Sequence, residues 1–313
     1  MEQLENSLRV KVTGQCNRNC FFCHKEGGMD EIDEIHCTPE LILLANRLFE
    51  EFHIDTMALT GGEPLLHSNL EDFVQAVTDN TKIKKFSLTT NGTIEKAECF
   101  WRRLQESGLY KVNLSISDVL AAISTTESTS GKTIFQNQIE AIETLNKLGI
   151  VPNINVVVYN DKKYLINLLN TLFAQRHVKF DVALLPDLTD EQTFARSQIV
   201  IKETVKFYGC KKVKASHRKG TSNTVCDYKT SEGFRLQVKT TKFAGRPKWL
   251  NSLCNGCEYK EHCQEGFYGL RLENRNEQLF LRLCLYKSDP SVLMSIEDFF
   301  ASPIYEELKL MWT

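Results

Sequence analysis

Six short apolar segments alternate with amphipathic helical patterns through the first two thirds of this 313-residue chain. They lie at 7–13 (SLRVKVT), 54–60 (IDTMALT), 84–90 (KKFSLTT), 110–117 (YKVNLSIS), 150–158 (IVPNINVVV) and 178–185 (VKFDVALL). Strand and helix in regular alternation leave few solutions, because each right-handed crossover lays the next strand parallel to the last. The helical stretches carry the marks expected of them. Thr38 stands as an N-cap before Pro39, with Leu41, Leu44, Ala45 and Leu48 on one face. Leu70, Phe73, Val74 and Val77 repeat that spacing, as do Leu165, Leu168, Leu169 and Leu172. The expected fold class is α/β, a partial (β/α)6 TIM-like barrel. An open doubly wound sheet fits less well, because the chemistry-bearing residues fall at the ends of several strands. Cys16 to Cys23 follow the first strand, Gly61-Gly62-Glu63-Pro64 the second and Thr89-Thr90-Asn91-Gly92 the third, while Ser115 and Ser117 end the fourth. In a barrel these ends share one rim.

After residue 209 the alternation stops. A basic stretch, a cysteine cluster and a helix-like tail, SIEDFFASPIYEELKLMW, follow, so the expected organisation is a core over 1–212 and a small cysteine-rich domain over 213–313. Residues 210–253 carry eleven Lys or Arg against Asp227 and Glu232, within a chain whose net charge is −2. Such a block either attracts an anionic substrate or partner or forms a solvated face. Sparse aromatic interleaving argues against nucleic acid. No apolar run approaches the roughly twenty residues that span a bilayer. The start, MEQLENSLRV, lacks the features of a secretory signal, so a cytoplasmic protein with no membrane partner is expected.

Eleven cysteines in a long chain without a signal, grouped as C-x3-C-x2-C and C-x2-C-x5-C, read as metal ligands rather than disulfides. Cys16, Cys20 and Cys23 are one ligand short of the four that a cubic iron-sulfur cluster takes, which leaves one iron open. The alternative is a zinc knuckle, although zinc sites favour paired C-x2-C elements closing to four ligands. Cys254, Cys257, Cys263 and Cys284 supply four thiolates, enough for a closed second cluster or for structural zinc. Cys226 is a spare thiol or an alternative ligand, and Cys37, Cys99 and Cys210 are read as incidental.

The C-x3-C-x2-C loop with a downstream GGEP resembles the radical SAM superfamily, in which the open iron is chelated by S-adenosylmethionine. That resemblance implies S-adenosyl-L-methionine and a 4Fe-4S cluster on Cys16, Cys20 and Cys23, with Phe22 against the adenine. Gly61 and Gly62, followed by Glu63 and Pro64, would admit the methionyl group and accept from its ammonium. A low-potential electron donor such as a flavodoxin or ferredoxin is implied as well. Within the superfamily, LRVKVTGQCNRNCFFCHKEG, LTGGEPLL, LTTNG, KVNLSIS and NINVVV stand in the order seen in the GTP cyclase of molybdenum cofactor biosynthesis. By that likeness Thr90, Asn91 and Ser115 contact S-adenosylmethionine, while Arg9 and Asn155 face the substrate. The plainer readings are hydroxyls capping strand ends, a surface arginine and a satisfied interior amide.

The spacing of Cys254, Cys257, Cys263 and Cys284 is similar to the distal auxiliary cluster of SPASM domains, shortened as in their "twitch" version, and implies a second 4Fe-4S cluster. Cys254, Cys257 and Cys284 also match the cyclase's three ligands, and Leu270-Arg271-Leu272 matches its L-R-L segment, which puts Arg271 with the substrate. Cys263 is additional and would block the iron that meets the purine. Gly269 and Asn153 replace an arginine and a lysine of the cyclase, and LKLMWT carries no Gly-Gly end. Molybdenum cofactor synthesis is therefore not assigned. The expected function is a radical SAM enzyme that abstracts hydrogen from a nucleotide-like or other small anionic substrate. A peptide-modifying radical SAM enzyme is the alternative, and a non-catalytic zinc-binding scaffold the alternative of a different class.

Overall fold

In the computed structural model, which describes residues 2–4, 6–20, 23, 32–117, 132–159, 161–243, 246–285, 287 and 292–312, the chain opens with two short strands, β1 (Glu2–Leu4) and β2 (Leu8–Lys11). Helix α1 (Pro39–Phe52) leads to β3 (Thr56–Thr60), α2 (Leu70–Asn80) to β4 (Lys85–Thr90) and α3 (Glu98–Glu106) to β5 (Leu109–Ser115). Helix α4 (Ile134–Lys147) leads to β6 (Asn153–Val158), α5 (Lys162–Phe173) to β7 (Asp181–Pro186), and α6 (Glu191–Phe207) closes the series. Thr38 caps α1 by accepting from the Leu41 amide at 3.3 Å, and Leu41, Leu44, Ala45 and Leu48 are buried.

Strands β2 to β7 pair in sequence order, each parallel to the next. Their two faces differ because successive side chains point to opposite sides. Val10, Leu59, Leu88, Leu114, Val156 and Leu184 are buried in the hydrophobic core. Their neighbours Arg9, Thr60, Thr89, Ser115 and Asn155 line a cavity on the other face. Among the described residues β2 and β7 do not pair with each other, so the six strands form a partial (β/α)6 barrel with a polar concave side.

The chain beyond residue 210 extends this sheet at both ends. Strands β8 (Lys211–Arg218), β9 (Thr224–Lys229) and β10 (Arg235–Thr240) form an antiparallel meander whose last strand lies parallel to β7. A hairpin of β11 (Lys242–Phe243) and β12 (Arg246–Pro247) and the short helix α7 (Asn251–Cys254) follow. Strands β13 (Arg271–Arg275), β14 (Gln278–Arg282) and β15 (Leu293–Ser295) are antiparallel to one another, and β13 pairs in parallel with β2. Helices α8 (Ile296–Phe300) and α9 (Pro303–Trp312) account for the helix-like tail. The sequence pattern did not reveal these later strands, and the sheet runs unbroken from one set to the other.

An ionic cluster fastens β13 and β14 to the barrel. Glu273, fully buried, accepts from Lys11 of β2 at 3.1 Å, from Arg282 at 3.1 and 3.2 Å, and from Arg275 at 2.6 Å. Burial alone would push its carboxyl up, but Arg282 and Lys11 hold it down at about 2. No described helix is long and apolar enough to cross a membrane.

Candidate active site

The loop after β2, which carries the cysteines, is hydrogen-bonded to the loop after β3. The Gly62 amide donates to Thr13 O at 2.8 Å and the Glu63 amide to Gln15 O at 2.7 Å. Both glycines are required by this approach. Gly61 has φ +143°, where a Cβ would stand 2.4 Å from Thr13 O, and a Cβ on Gly62 would stand 2.0 Å from Gln15 O. The close approach visible here is thus to the backbone leading into Cys16, whereas the sequence reading assigned it to the methionyl group. Cys16, Cys20 and Cys23 line one cavity with Gly61 and Gly62. Burial pushes the Cys16 and Cys20 thiols up. Among the described residues no group of three or more His, Cys, Asp or Glu side chains closes round a single metal ion. Thiolates of a cubic cluster each take a different iron, so what they need is a shared cavity. Phe22 lies outside the described residues.

Glu63 is the hub of the rim. It is 1% exposed and accepts from Thr90 Oγ1 at 2.5 Å, the Asn91 amide at 2.7 Å and the Leu65 amide at 3.0 Å. Burial pushes its carboxyl up against the pull of those donors. Pro64 begins a single 3-10 turn, Pro64–Leu66, capped by the same carboxylate. Asn91 in turn donates to Asn17 at 2.8 Å, and Asn17 to Thr93 at 2.8 Å, which ties the cysteine loop to the end of β4. Thr90, Asn91 and Ser115 all line the cavity.

The cavity measures about 390 Å³, and its floor is cationic. Arg9, Asn155 and Arg271 line it, so the three residues expected at a substrate are brought together. Arg9 and Arg271 are register partners on β2 and β13, and their guanidinium carbons lie 5.7 and 5.2 Å from the ring centre of Tyr268. Asn155 accepts from Lys239 at 2.9 Å. Burial, with Lys111, Arg9 and Arg218 nearby, lowers the Lys239 ammonium to about 7. Lys239 was not singled out as a site residue from the sequence. The signal available was that Lys239 sits in the alternating segment RLQVKT inside the basic stretch.

The second cysteine set gathers elsewhere. Cys254, Cys257, Cys263 and Cys284 line a separate cavity of about 330 Å³ with Trp249, Tyr259 and Met294. Burial and the three companion thiols push Cys254 up to about 11. The Gly266 amide donates to Cys263 Sγ at 3.3 Å and the Lys287 amide to Cys284 Sγ at 3.4 Å. Four thiols in one apolar basin, two with amide donors, have the donor set of a closed metal–thiolate centre. Cys226, on β9, lines neither of these cavities.

Comparison with known proteins agrees with this arrangement. Residues 10–165 match the model of the radical SAM superfamily. The chain is similar to the probable GTP 3',8-cyclases of Methanococcus maripaludis, 33% identical over 146 residues, and Archaeoglobus fulgidus, 36% identical over 153. These matches cover 47% and 49% of this chain and the same shares of the relatives, so the chain spans about half the length of the curated relatives it matches. In fold it is similar to Streptococcus suis SuiB bound to S-adenosylmethionine, with a TM-score of 0.58 at 14% identity over 98% of this chain and 68% of that one. Native anSMEcpe with bound AdoMet and the Kp18Cys peptide gives 0.58 at 16% identity over 99% and 84%. The sequence match, the parallel six-strand barrel and the cysteine rim over a GGEP turn agree: this chain belongs to the radical SAM superfamily.

Proposed function

We propose that the chain holds a 4Fe-4S cluster through Cys16, Cys20 and Cys23, binds S-adenosyl-L-methionine beside it, and abstracts a hydrogen atom from a nucleotide-like or other small anionic substrate. The observation that carries this reading is one cavity in which the cysteine rim lies above a floor of Arg9, Lys239 and Arg271. When bound, the cluster and cofactor supply a 5′-deoxyadenosyl radical. The residues of the chain orient and exclude. Glu63 fixes the Thr90–Asn91 turn against the cofactor side, with Gly61, Gly62 and Ser115 shaping the same wall. Arg9 and Arg271 flank Tyr268, which offers a ring face beside two cations and suits a molecule with both a planar and an anionic part.

We read residues 213–313 as an auxiliary domain whose Cys254, Cys257, Cys263 and Cys284 hold a second, fully ligated 4Fe-4S cluster. A cytoplasmic flavodoxin or ferredoxin would supply the electron. The cyclase relatives act, by their printed name, on GTP, which supports a nucleotide as the first substrate to try. Reconstituted protein incubated without oxygen with S-adenosylmethionine and nucleoside triphosphates should yield 5′-deoxyadenosine and a new product by mass spectrometry. Deoxyadenosine with product only from a supplied precursor peptide would move the assignment to a peptide-modifying enzyme. No deoxyadenosine under any condition would end the radical reading.

A further inference from the structure

Behind the front cavity lies a second one, of about 260 Å³, on the same polar face of the barrel. Arg9, Thr89, Asn113, Asn223, Lys239, Tyr268 and Arg271 line both. From that shared waist the second cavity runs to the opposite ends of the strands, where Ser7 precedes β2, Thr56 begins β3 and Tyr110 is the second residue of β5. There it meets solvent, because Tyr110 is 55% exposed and Lys214 and Arg235 are exposed too. The lumen is open at both ends, with the cysteine rim at the front and a second mouth at the rear.

The rear cavity is strongly cationic. Lys111, Lys214, Arg218 and Arg235 line it without reaching the front cavity, in addition to the shared Arg9, Lys239 and Arg271. Asp227 is the one carboxylate among its described lining residues, and it already accepts from Arg235 at 3.2 Å and Gln237 at 2.8 Å. Arg235 also donates to Asp181 at 2.9 Å. Burial, then Arg218 and Arg235, lower the Lys111 ammonium. Like charges held together in a partly dry cavity repel, and an anion with several charged oxygens relieves that repulsion at several points at once. The volume falls below the roughly 300–1,000 Å³ of pockets for drug-sized molecules, so it suits a short phosphoryl chain better than a whole nucleoside.

We propose that this rear cavity is a phosphoryl-anion site, open at the face opposite the cysteines and built from Lys111, Lys214 and Arg218. It goes beyond the proposed reaction, since occupancy needs neither cluster nor S-adenosylmethionine, and it stands or falls separately from turnover. The anion comes either as a free phosphate or diphosphate through the rear mouth, or as the tail of a nucleotide seated in the front cavity. The probe is inorganic diphosphate, titrated calorimetrically into the full chain as isolated. Wild type should bind saturably, and Lys214→Glu and Lys111→Met should each weaken binding at least about tenfold, as loss of a charge-assisted contact does. Lys229→Glu makes the same charge change at an exposed position on β9 that does not line the cavity, and should leave affinity within about twofold, since surface charges act weakly through salt. Lys214 is exposed, so its variant reads the site even if Lys111→Met fails to fold. Absence of saturable binding in wild type, or an equal loss in Lys229→Glu, overturns the site. Displacement of diphosphate by a nucleoside triphosphate but not by the nucleoside supports the site with the tail as the source. Simultaneous binding of both supports it with the free anion as the source.

Discussion

The two groups of cysteines use the same soft ligand in unlike surroundings. Cys16, Cys20 and Cys23 stand on the rim of a 390 Å³ cavity beside Glu63 and Thr90, above a floor of Arg9, Lys239 and Arg271. Cys254, Cys257, Cys263 and Cys284 stand in a 330 Å³ basin walled by Trp249, Tyr259, Met294 and Ile304. Three thiols would leave one iron of a cubic cluster without a protein ligand, a position where a ligand can arrive, while four would leave none. Under the proposed function, what shares the cavity, as much as the cysteine count, would separate a reactive centre from a supporting one.

Ligand deletion is the strongest way to break that contrast. Cys20→Ala should lower 5′-deoxyadenosine formation by about a thousandfold or more, because a cluster with two thiolates no longer holds the cofactor in place. Cys284→Ala should leave deoxyadenosine within about tenfold of wild type while product disappears, the mark of cleavage uncoupled from substrate chemistry. Chromatography of one anoxic reaction reads both quantities. Full product yield from Cys284→Ala would reduce the basin to a structural clasp.

The two regions are also tied to the barrel by different forces, and here the expected effect is on stability. The front loop is held by main-chain hydrogen bonds from Gly62 and Glu63 to Thr13 and Gln15. The strand pair that leads to Cys284 is held by Glu273 between Lys11 and Arg282, which are 2% and 5% exposed. Glu273→Gln removes the buried carboxylate that Lys11 and Arg282 share, at a cost of about 3–5 kcal/mol at neutral pH. The sign with pH follows from a carboxyl held at about 2 against an ordinary 4.5. The stabilisation is complete above pH 4.5 and is lost as pH falls toward 2, so wild type and variant should converge in acid. Urea unfolding at pH 7 and in a falling pH series measures both. A variant as stable as wild type at pH 7 would show the cluster contributes nothing.

Much of this architecture was legible in the sequence, and the parts that were not share a cause. The six barrel strands and the Thr38–Pro39 helix start follow from local apolar spacing and capping, which depend on near neighbours. The cysteine loop and GGEP were readable as chemistry for the same reason. Strands β8 and β10 were missed because KKVKASHR and RLQVKT interleave cations with apolar residues, a pattern that also suits a solvated surface. Lys214, Arg218, Arg235 and Lys239 among them instead line a lumen, and period-2 spacing cannot say whether the polar face meets bulk water or an interior cavity. The pairing of Arg9 with Arg271 across β2 and β13 joins residues far apart in the chain, beyond the reach of any local pattern.

Lys239 gives the smallest and most selective test, because it belongs to both cavities and came from the stretch whose role the sequence left open. Its ammonium is lowered from 10.5 to about 7 by burial and by Lys111, Arg9 and Arg218, while the Asn155 amide accepts from it. Between pH 7 and 10.5 the unfolded chain binds a proton that the folded chain does not, so this group makes stability fall as pH drops through that window. An anion in the lumen favours the charged form, so binding must take up a proton over the same range. Diphosphate affinity should therefore weaken as pH rises from 7 to 9, by at most about tenfold per unit. Lys239→Met should flatten that slope more than Lys111→Met does, because its contact lies at the shared waist. Calorimetry in two buffers of different ionisation enthalpy counts the protons taken up. Binding with no proton uptake and no slope would place the anion out of reach of Lys239, and would separate the rear cavity from the front one that Lys239 now joins to it.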